Sequence, residues 1–151
     1  RFMAHGKHFK QDHFEPKKPE KYRETGKPFF HSSWERSVME FLDSNPYVHE
    51  WMSDYVIPYY SSTKGRQARY LVDFVFTITD RHGRKRTIMA EVKPLKECNP
   101  PVKKKGRKRT TVIQEEITWI NNSEKWQAAE KYAKERGWEF SLLTELDIFA
   151  G

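Results

Sequence analysis

Three charged residues stand where charge is unfavourable. Asp73 lies inside Arg69-Tyr70-Leu71-Val72-Asp73-Phe74-Val75-Phe76-Thr77-Ile78-Thr79, a run rich in β-branched and aromatic residues that reads as a strand apolar on both faces. Glu91 and Lys93 lie inside Thr87-Ile88-Met89-Ala90-Glu91-Val92-Lys93-Pro94, a second strand stopped by proline. Asp80-Arg81-His82-Gly83-Arg84 between them has the polar, glycine-containing make-up of a hairpin loop. His82 is nine residues from Asp73 and nine from Glu91, so a hairpin centred on it sets the two carboxylates opposite each other. Alternation along the strand keeps Lys93 on the face of Glu91. Directly opposed Cβ atoms are about 4.5–5.5 Å apart, where two carboxylates repel unless a cation or proton lies between them. Mg²⁺, a hard ion that takes oxygen ligands and keeps several waters, suits that gap, with Mn²⁺ able to substitute. The alternatives are a buried Asp–Lys ion pair or an edge-strand face open to water, and a bulge would break the register.

The elements that must carry these residues can be read around them. Residues 32–44 read as a helix, with Trp34, Val38, Phe41 and Leu42 on one stripe and Asn45-Pro46 as the stop. Glu35 falls at the edge of that stripe. Two readings compete for it: a capping box with Ser32, in which Glu35 bonds back to the cap N–H, or a carboxylate leaning toward the strand-borne charges. Asp54-Tyr55-Val56-Ile57-Pro58-Tyr59-Tyr60 reads as an edge strand, since Pro58 lacks a ladder donor. Residues 61–65 then turn the chain into the Asp73 strand. Helix, strand, strand, strand gives a mostly antiparallel sheet with a helix against one side. Residues 138–143 form a last strand, reached across a helix and so parallel to a neighbour.

Composition narrows the partner. A chain of 151 residues with 15% aromatics can bury one core. Lysine and arginine exceed aspartate and glutamate by 28 to 21, and the net charge of +7 favours a polyanion, nucleic acid rather than a membrane. A single cysteine, Cys98, excludes an internal disulfide and a cysteine zinc site, and suggests a reducing compartment. No stretch of about 18 apolar residues is present, so the expectation is a cytosolic protein or part of a particle assembled inside a cell.

Residues 1–28 are basic and proline-punctuated, a solvated arm in which His5, His8 and His13 have no regular ligand spacing. Lys103, Lys104, Lys105, Arg107, Lys108 and Arg109 put six cations into seven residues of a loop spanning 99–110. Following the Glu91 strand, that loop can grip DNA phosphates. Residues 111–119 are ambiguous between strand and helix. Residues 122–136 form a helix with Trp126, Ala129 and Ala133 on one face and Gly137 as the stop. This places Lys125 in a first turn, where the macrodipole disfavours a cation; it is either a solvated lysine or one kept for a purpose.

Glu35 on a helix, Asp73 in a strand, Glu91-Val92-Lys93 in the next, then a helix and a strand, resemble the PD-(D/E)xK nuclease superfamily, with Val72 at the proline of that motif's name. Ser33-Trp34-Glu35, Val72-Asp73-Phe74, Glu91-Val92-Lys93-Pro94, the basic loop, Asn122-x-x-Lys125-Trp126-x-Ala128-Ala129 and Gly137-Trp138-x-Phe140 with Thr144-Glu145 resemble the head-completion nuclease family of T-even-type tailed phages, over about residues 30–146. The layout is similar, more distantly, to the N-terminal domain of Tn7-type transposon endonucleases. The resemblance implies an α/β (α+β) fold with a restriction-endonuclease-like core, a mixed central sheet and flanking helices, over residues 29–151. It also implies Glu35, Asp73 and Glu91 as an acidic Mg²⁺ site, Lys93 as the catalytic lysine, Lys125 as an accessory residue and Asn122 as a weaker one. Double-stranded DNA would be the substrate and portal or neck proteins the partners. The protein would act in the virion, and in the host cytoplasm during assembly, binding and trimming the DNA end after packaging. Two rivals are a structural DNA-binding head or neck protein whose nuclease fold is not used for catalysis, and a transposon-type endonuclease.

Overall fold

The computed structural model describes residues 11–149. Its centre is a four-stranded mixed sheet of β3 (Val48–Ser61), β4 (Arg66–Thr79), β5 (Lys85–Val92) and β6 (Glu139–Leu143), hydrogen-bonded in that order. The first two pairings are antiparallel and the last is parallel. The β4–β5 hairpin closes on Thr79 and Lys85, so His82 is its centre as the residue count requires. Asp80 builds the loop: its Oδ1 accepts the N–H groups of His82 and Arg84, both at 2.9 Å, and Gly83 supplies the positive φ (77°) that a Cβ would oppose.

Helix α1 (Ser33–Ser44) and helix α2 (Arg109–Glu135) each pack an apolar cluster against the sheet. Val38, Met39 and Leu42 of α1 meet Trp51, Phe74, Phe76, Ala90 and Val92. Ala129 and Ala133 of α2 meet Ile57, Tyr59, Tyr70, Val72, Val75 and Met89. The fully buried residues of α2 are two alanines, whose small side chains let the helix lie close over large strand residues, with Trp126, Ala128 and Tyr132 packed around them. Helix α3 (Glu145–Ile148), capped by Thr144, follows the sheet.

Two expectations about the helices change. The buried face of α1 is Glu35, Val38, Met39, Leu42 and Asp43, which is the i, i+3, i+4, i+7, i+8 pattern begun one residue later than expected. Phe41 is consequently 53% exposed and Glu35 sits within the stripe rather than at its edge. The second change is in α2, which is one helix of 27 residues that absorbs residues 111–119 and the start of the expected 122–136 helix. Its early β-branched residues, Thr111, Val112, Ile113 and Ile117, lower helix propensity and look strand-like in isolation. No ladder takes them up, and helix is what satisfies their backbone groups. Lys125 is therefore in mid-helix, and the macrodipole argument does not apply to it.

The expected arm is a strap where it is described. Strand β1 (Asp12–His13) pairs with β2 (Phe29–Phe30), and Phe14 and Phe30 enter the α1 cluster. Asp43 holds the strap by accepting the N–H groups of Lys17 and Lys18 at 2.9 Å each. Lys21 Nζ answers by donating to the carbonyls of Asp43 and Asn45, at the end of α1 where a cation is favoured. His13 is exposed and packs edge-on against Phe29, while His5 and His8 lie outside the described residues. Asp43→Ala strips two partly buried N–H groups of their acceptor; urea unfolding should show a loss of about 1–3 kcal/mol. Native-state trypsin should also cut after Lys17 faster than in the parent.

Candidate active site

The β4–β5 ladder ends at Phe74 and Ala90. One pair further on, side chains replace it. The Asp73 N–H donates to Glu91 Oε1 at 3.2 Å, and the Val92 N–H donates to Asp73 Oδ2 at 2.9 Å. Each carboxylate thus holds the opposite strand's backbone. The β3–β4 ladder lapses at the same level, pairing Ser53 with Phe74 and Tyr55 with Val72 and passing over Asp54 and Asp73. Asp54 has φ 49°, a left-handed conformation that a non-glycine residue keeps only when its surroundings enforce it.

The strands change sides at this level. Val72 packs with Met89 and the α2 alanines, yet Phe74, two residues on, packs with Val38 and Leu42 of α1. Regular alternation would put both on one face. Beyond the switch, the β3–β4 ribbon leaves β5 and is propped by α2. Tyr55 and Tyr132 share a hydroxyl bond at 2.9 Å, Thr63 Oγ1 donates to Asn121 Oδ1 at 2.7 Å, and the Ser62 N–H donates to Glu124 Oε1 at 3.0 Å. Asp73 is the residue at the fork.

Besides Asp43, which holds the strap, four ionisable residues are buried here or on the packed face of α1: Glu35 at 3% exposure, Asp73 at 4%, Glu91 at 8% and Lys93 at 3%. Buried charge is unfavourable unless it is hydrogen-bonded or countered. Lys93 follows β5, and its N–H donates to Leu143 O at 2.8 Å, which continues the parallel pairing and keeps the lysine in line with Glu91. Burial pushes the nearby Cys98 thiol up from its ordinary pKa, and the positive charge of Lys93 acts against that rise.

Glu35 holds half of the expected capping box. Ser32 Oγ accepts the Glu35 N–H at 3.2 Å, while Glu35 Oε1 accepts from the N–H of His31 at 3.2 Å, one residue before the cap, and lies 3.4 Å from His31 Nδ1. Among the described residues no three His, Cys, Asp or Glu side chains form a group able to hold a metal ion. Asp73 and Glu91 are brought together. A carboxylate oxygen that accepts one N–H keeps a second lone-pair direction, and Mg²⁺ needs only one or two protein carboxylates when water and phosphate oxygens complete its shell. The donor set fits such an ion.

Lys125 Nζ lies 5.7 Å from the ring centre of Tyr70 and 6.0 Å from that of Tyr59, a cation–π setting on the ribbon that carries Asp73. Of the basic run, Lys103, Lys104, Lys105, Lys108 and Arg109 are exposed, and half-buried Arg107 pairs with Glu115 at 2.8 Å. Arg109 already belongs to α2, so the loop ends at Lys108. Between this loop and α2 runs a groove of about 530 Å³ lined by Lys96, Lys104, Trp119 and Asn122 among others. Lys96 and Trp119 carry no functional signal in the sequence; Trp119 stands in the stretch whose period is ambiguous, and Lys96 in a turn with no period at all.

A mixed sheet flanked by helices, with two strand carboxylates and a lysine at the point where its ladders part, defines a restriction-endonuclease-like nuclease domain. The chain belongs to the family described as TnsA-like endonuclease N terminal, whose model matches residues 45–145. That match includes Asp73, Glu91, Lys93 and Lys125 and begins after Glu35. The chain is also 39% identical, over 137 residues, to the head completion nuclease of Enterobacteria phage T4, covering 86% of this chain and 87% of that one.

The bonds at the fork separate folding from chemistry. Glu91→Ala leaves the buried Asp73 N–H without its acceptor and should lower stability by about 1–3 kcal/mol in urea unfolding. Glu91→Gln keeps a carbonyl oxygen at that position and should stay near the parent value.

Proposed function

We propose that this chain is a Mg²⁺-dependent DNA endonuclease acting in completion of a phage head, where it binds and trims the packaged DNA end. The single observation that carries the chemistry is the reciprocal bonding of Asp73 and Glu91, which holds two carboxylates at one level of the sheet, with buried Lys93 two residues along from Glu91. The biological setting is supported by the likeness to the phage T4 head completion nuclease over most of both chains.

Hydrolysis requires a water oxygen to attack phosphorus, the opposite P–O bond to break and the departing oxygen to gain a proton. Asp73 and Glu91 would hold the ion. When bound it supplies Lewis-acid stabilisation of charge building on the phosphoryl oxygens and makes water easier to deprotonate. Lys93, buried and in line with Glu91, orients the attacking water or offsets charge on the scissile phosphate. Glu35, on the buried face of α1 and accepting the His31 N–H, would be a further acceptor for water when the ion is bound. Lys125, over Tyr59 and Tyr70, steadies the ribbon on which Asp73 is borne. Lys103, Lys104, Lys105, Lys108 and Arg109, exposed at the start of α2 and in the loop before it, meet the phosphate backbone of duplex DNA. Portal or neck proteins would bring the enzyme to the DNA end in the assembling particle.

Plasmid nicking tests this. Asp73→Asn, Glu91→Gln and Lys93→Met should each lower the rate by about a hundredfold or more without loss of fold, a chelator should abolish it, and Mn²⁺ should restore it. Undiminished cleavage in all three variants would end the assignment of these residues to catalysis, and a parent protein that does not nick at all would leave a DNA-binding head protein. Replacing Lys103, Lys104 and Lys105 with glutamine should flatten the dependence of log Kd for duplex DNA on log salt by about 0.9 for each phosphate that is no longer neutralised, as read by fluorescence anisotropy across a salt series.

A further inference from the structure

The groove between the loop and α2 is built differently from a surface that only grips phosphates. Trp119 of α2 lines it, half-buried, and its ring is set by an edge contact with Trp126, with centroids 5.9 Å apart and planes at 79°. Trp126 packs in turn against the α2 cluster, so the indole stands on the core. Pro100, Pro101 and Val102 form the opposite wall. Lys96 and Lys104 supply cations, and Asn122, one helical turn from Trp119, supplies both a donor and an acceptor.

The interior base pairs of a duplex have no face to offer a tryptophan, because they are stacked on one another. An unpaired base does, and stacking on an aromatic ring tolerates any base. The groove volume of about 530 Å³ lies within the range of small-ligand sites. Its near end is close to the chemistry: Lys96 is three residues from Lys93, which limits their Cα separation to about 11 Å, and the intervening turn shortens it. Resting on the proposed nuclease activity, we infer that this groove is a subsite for an unpaired nucleotide next to the cleaved bond, with Trp119 as the stacking platform, Asn122 as a base-edge partner and Lys96 and Lys104 on the flanking phosphates. The positive charge of the loop favours nucleic acid over a protein segment as the occupant. DNA with a frayed or single-stranded end is then the preferred substrate class.

Binding without metal separates this site from catalysis. An unlabelled oligothymidylate should quench tryptophan fluorescence in the parent and in Asp73→Asn alike. Trp119→Phe should lose most of the quench while keeping most of the affinity, and Trp119→Ala should weaken the oligothymidylate about tenfold or more with blunt duplex affinity little changed. Circular dichroism melts of both variants check the fold. Equal oligothymidylate affinity in the parent and Trp119→Ala overturns the inference, as does a quench that survives in Trp119→Phe; either leaves the groove to a protein partner. If the parent does not cleave but Trp119 still reports the oligonucleotide, the nuclease assignment fails and the binding site stands.

Discussion

Two backbone N–H groups and two carboxylates hold this protein's centre together. Where β4 separates from β5, the ladder bond that ought to join Asp73 to Glu91 is replaced by a bond from each strand's backbone to the other strand's side chain. The replacement satisfies backbone groups that would be costly to bury alone, and it holds two carboxyl groups at one level of the sheet. One arrangement therefore serves folding and supplies the donors for the proposed ion. Substitution to alanine at either acid disturbs both at once.

The fork also explains why the strands change sides there. Side chains before and after Asp73 enter different clusters, and Asp54 opposite it takes a left-handed conformation. The β3–β4 ribbon can then lean on α2 while the β5–β6 pair stays with both layers. Helix α2 runs beyond the sheet, and its early turns face the basic loop rather than a strand. The chain thereby places a groove and a cluster of cations along the stretch that follows β5, without interrupting either apolar cluster.

Much of the site was legible because strand geometry is so regular. Counting nine residues either side of His82 predicted that Asp73 and Glu91 would meet, and the register runs as counted. The same regularity misled at α1: Trp34, Val38 and Phe41 gave a plausible stripe, but Glu35 and Asp43 take part in the buried face because His31 and the strap at Lys17 and Lys18 satisfy them. A polar residue with a distant partner cannot be recognised as buried from its neighbours in sequence. Residues 111–119 were unreadable for the complementary reason, since β-branched residues become helical when no strand offers them a ladder.

The sequence by itself determined the strand pair, its centre at His82, the acidic and basic residues carried there, the late helix face of Trp126, Ala129 and Ala133, and the parallel last strand. These follow from periods of two and 3.6 residues and from turn residues, all of them local properties. Only the tertiary structure decided that the ladder lapses at Asp73, that Glu35 bonds to His31, that residues 11–28 strap the core, and that Lys96, Trp119 and Asn122 line one groove. Each of these depends on groups far apart in the chain finding one another, and no local period records such a meeting.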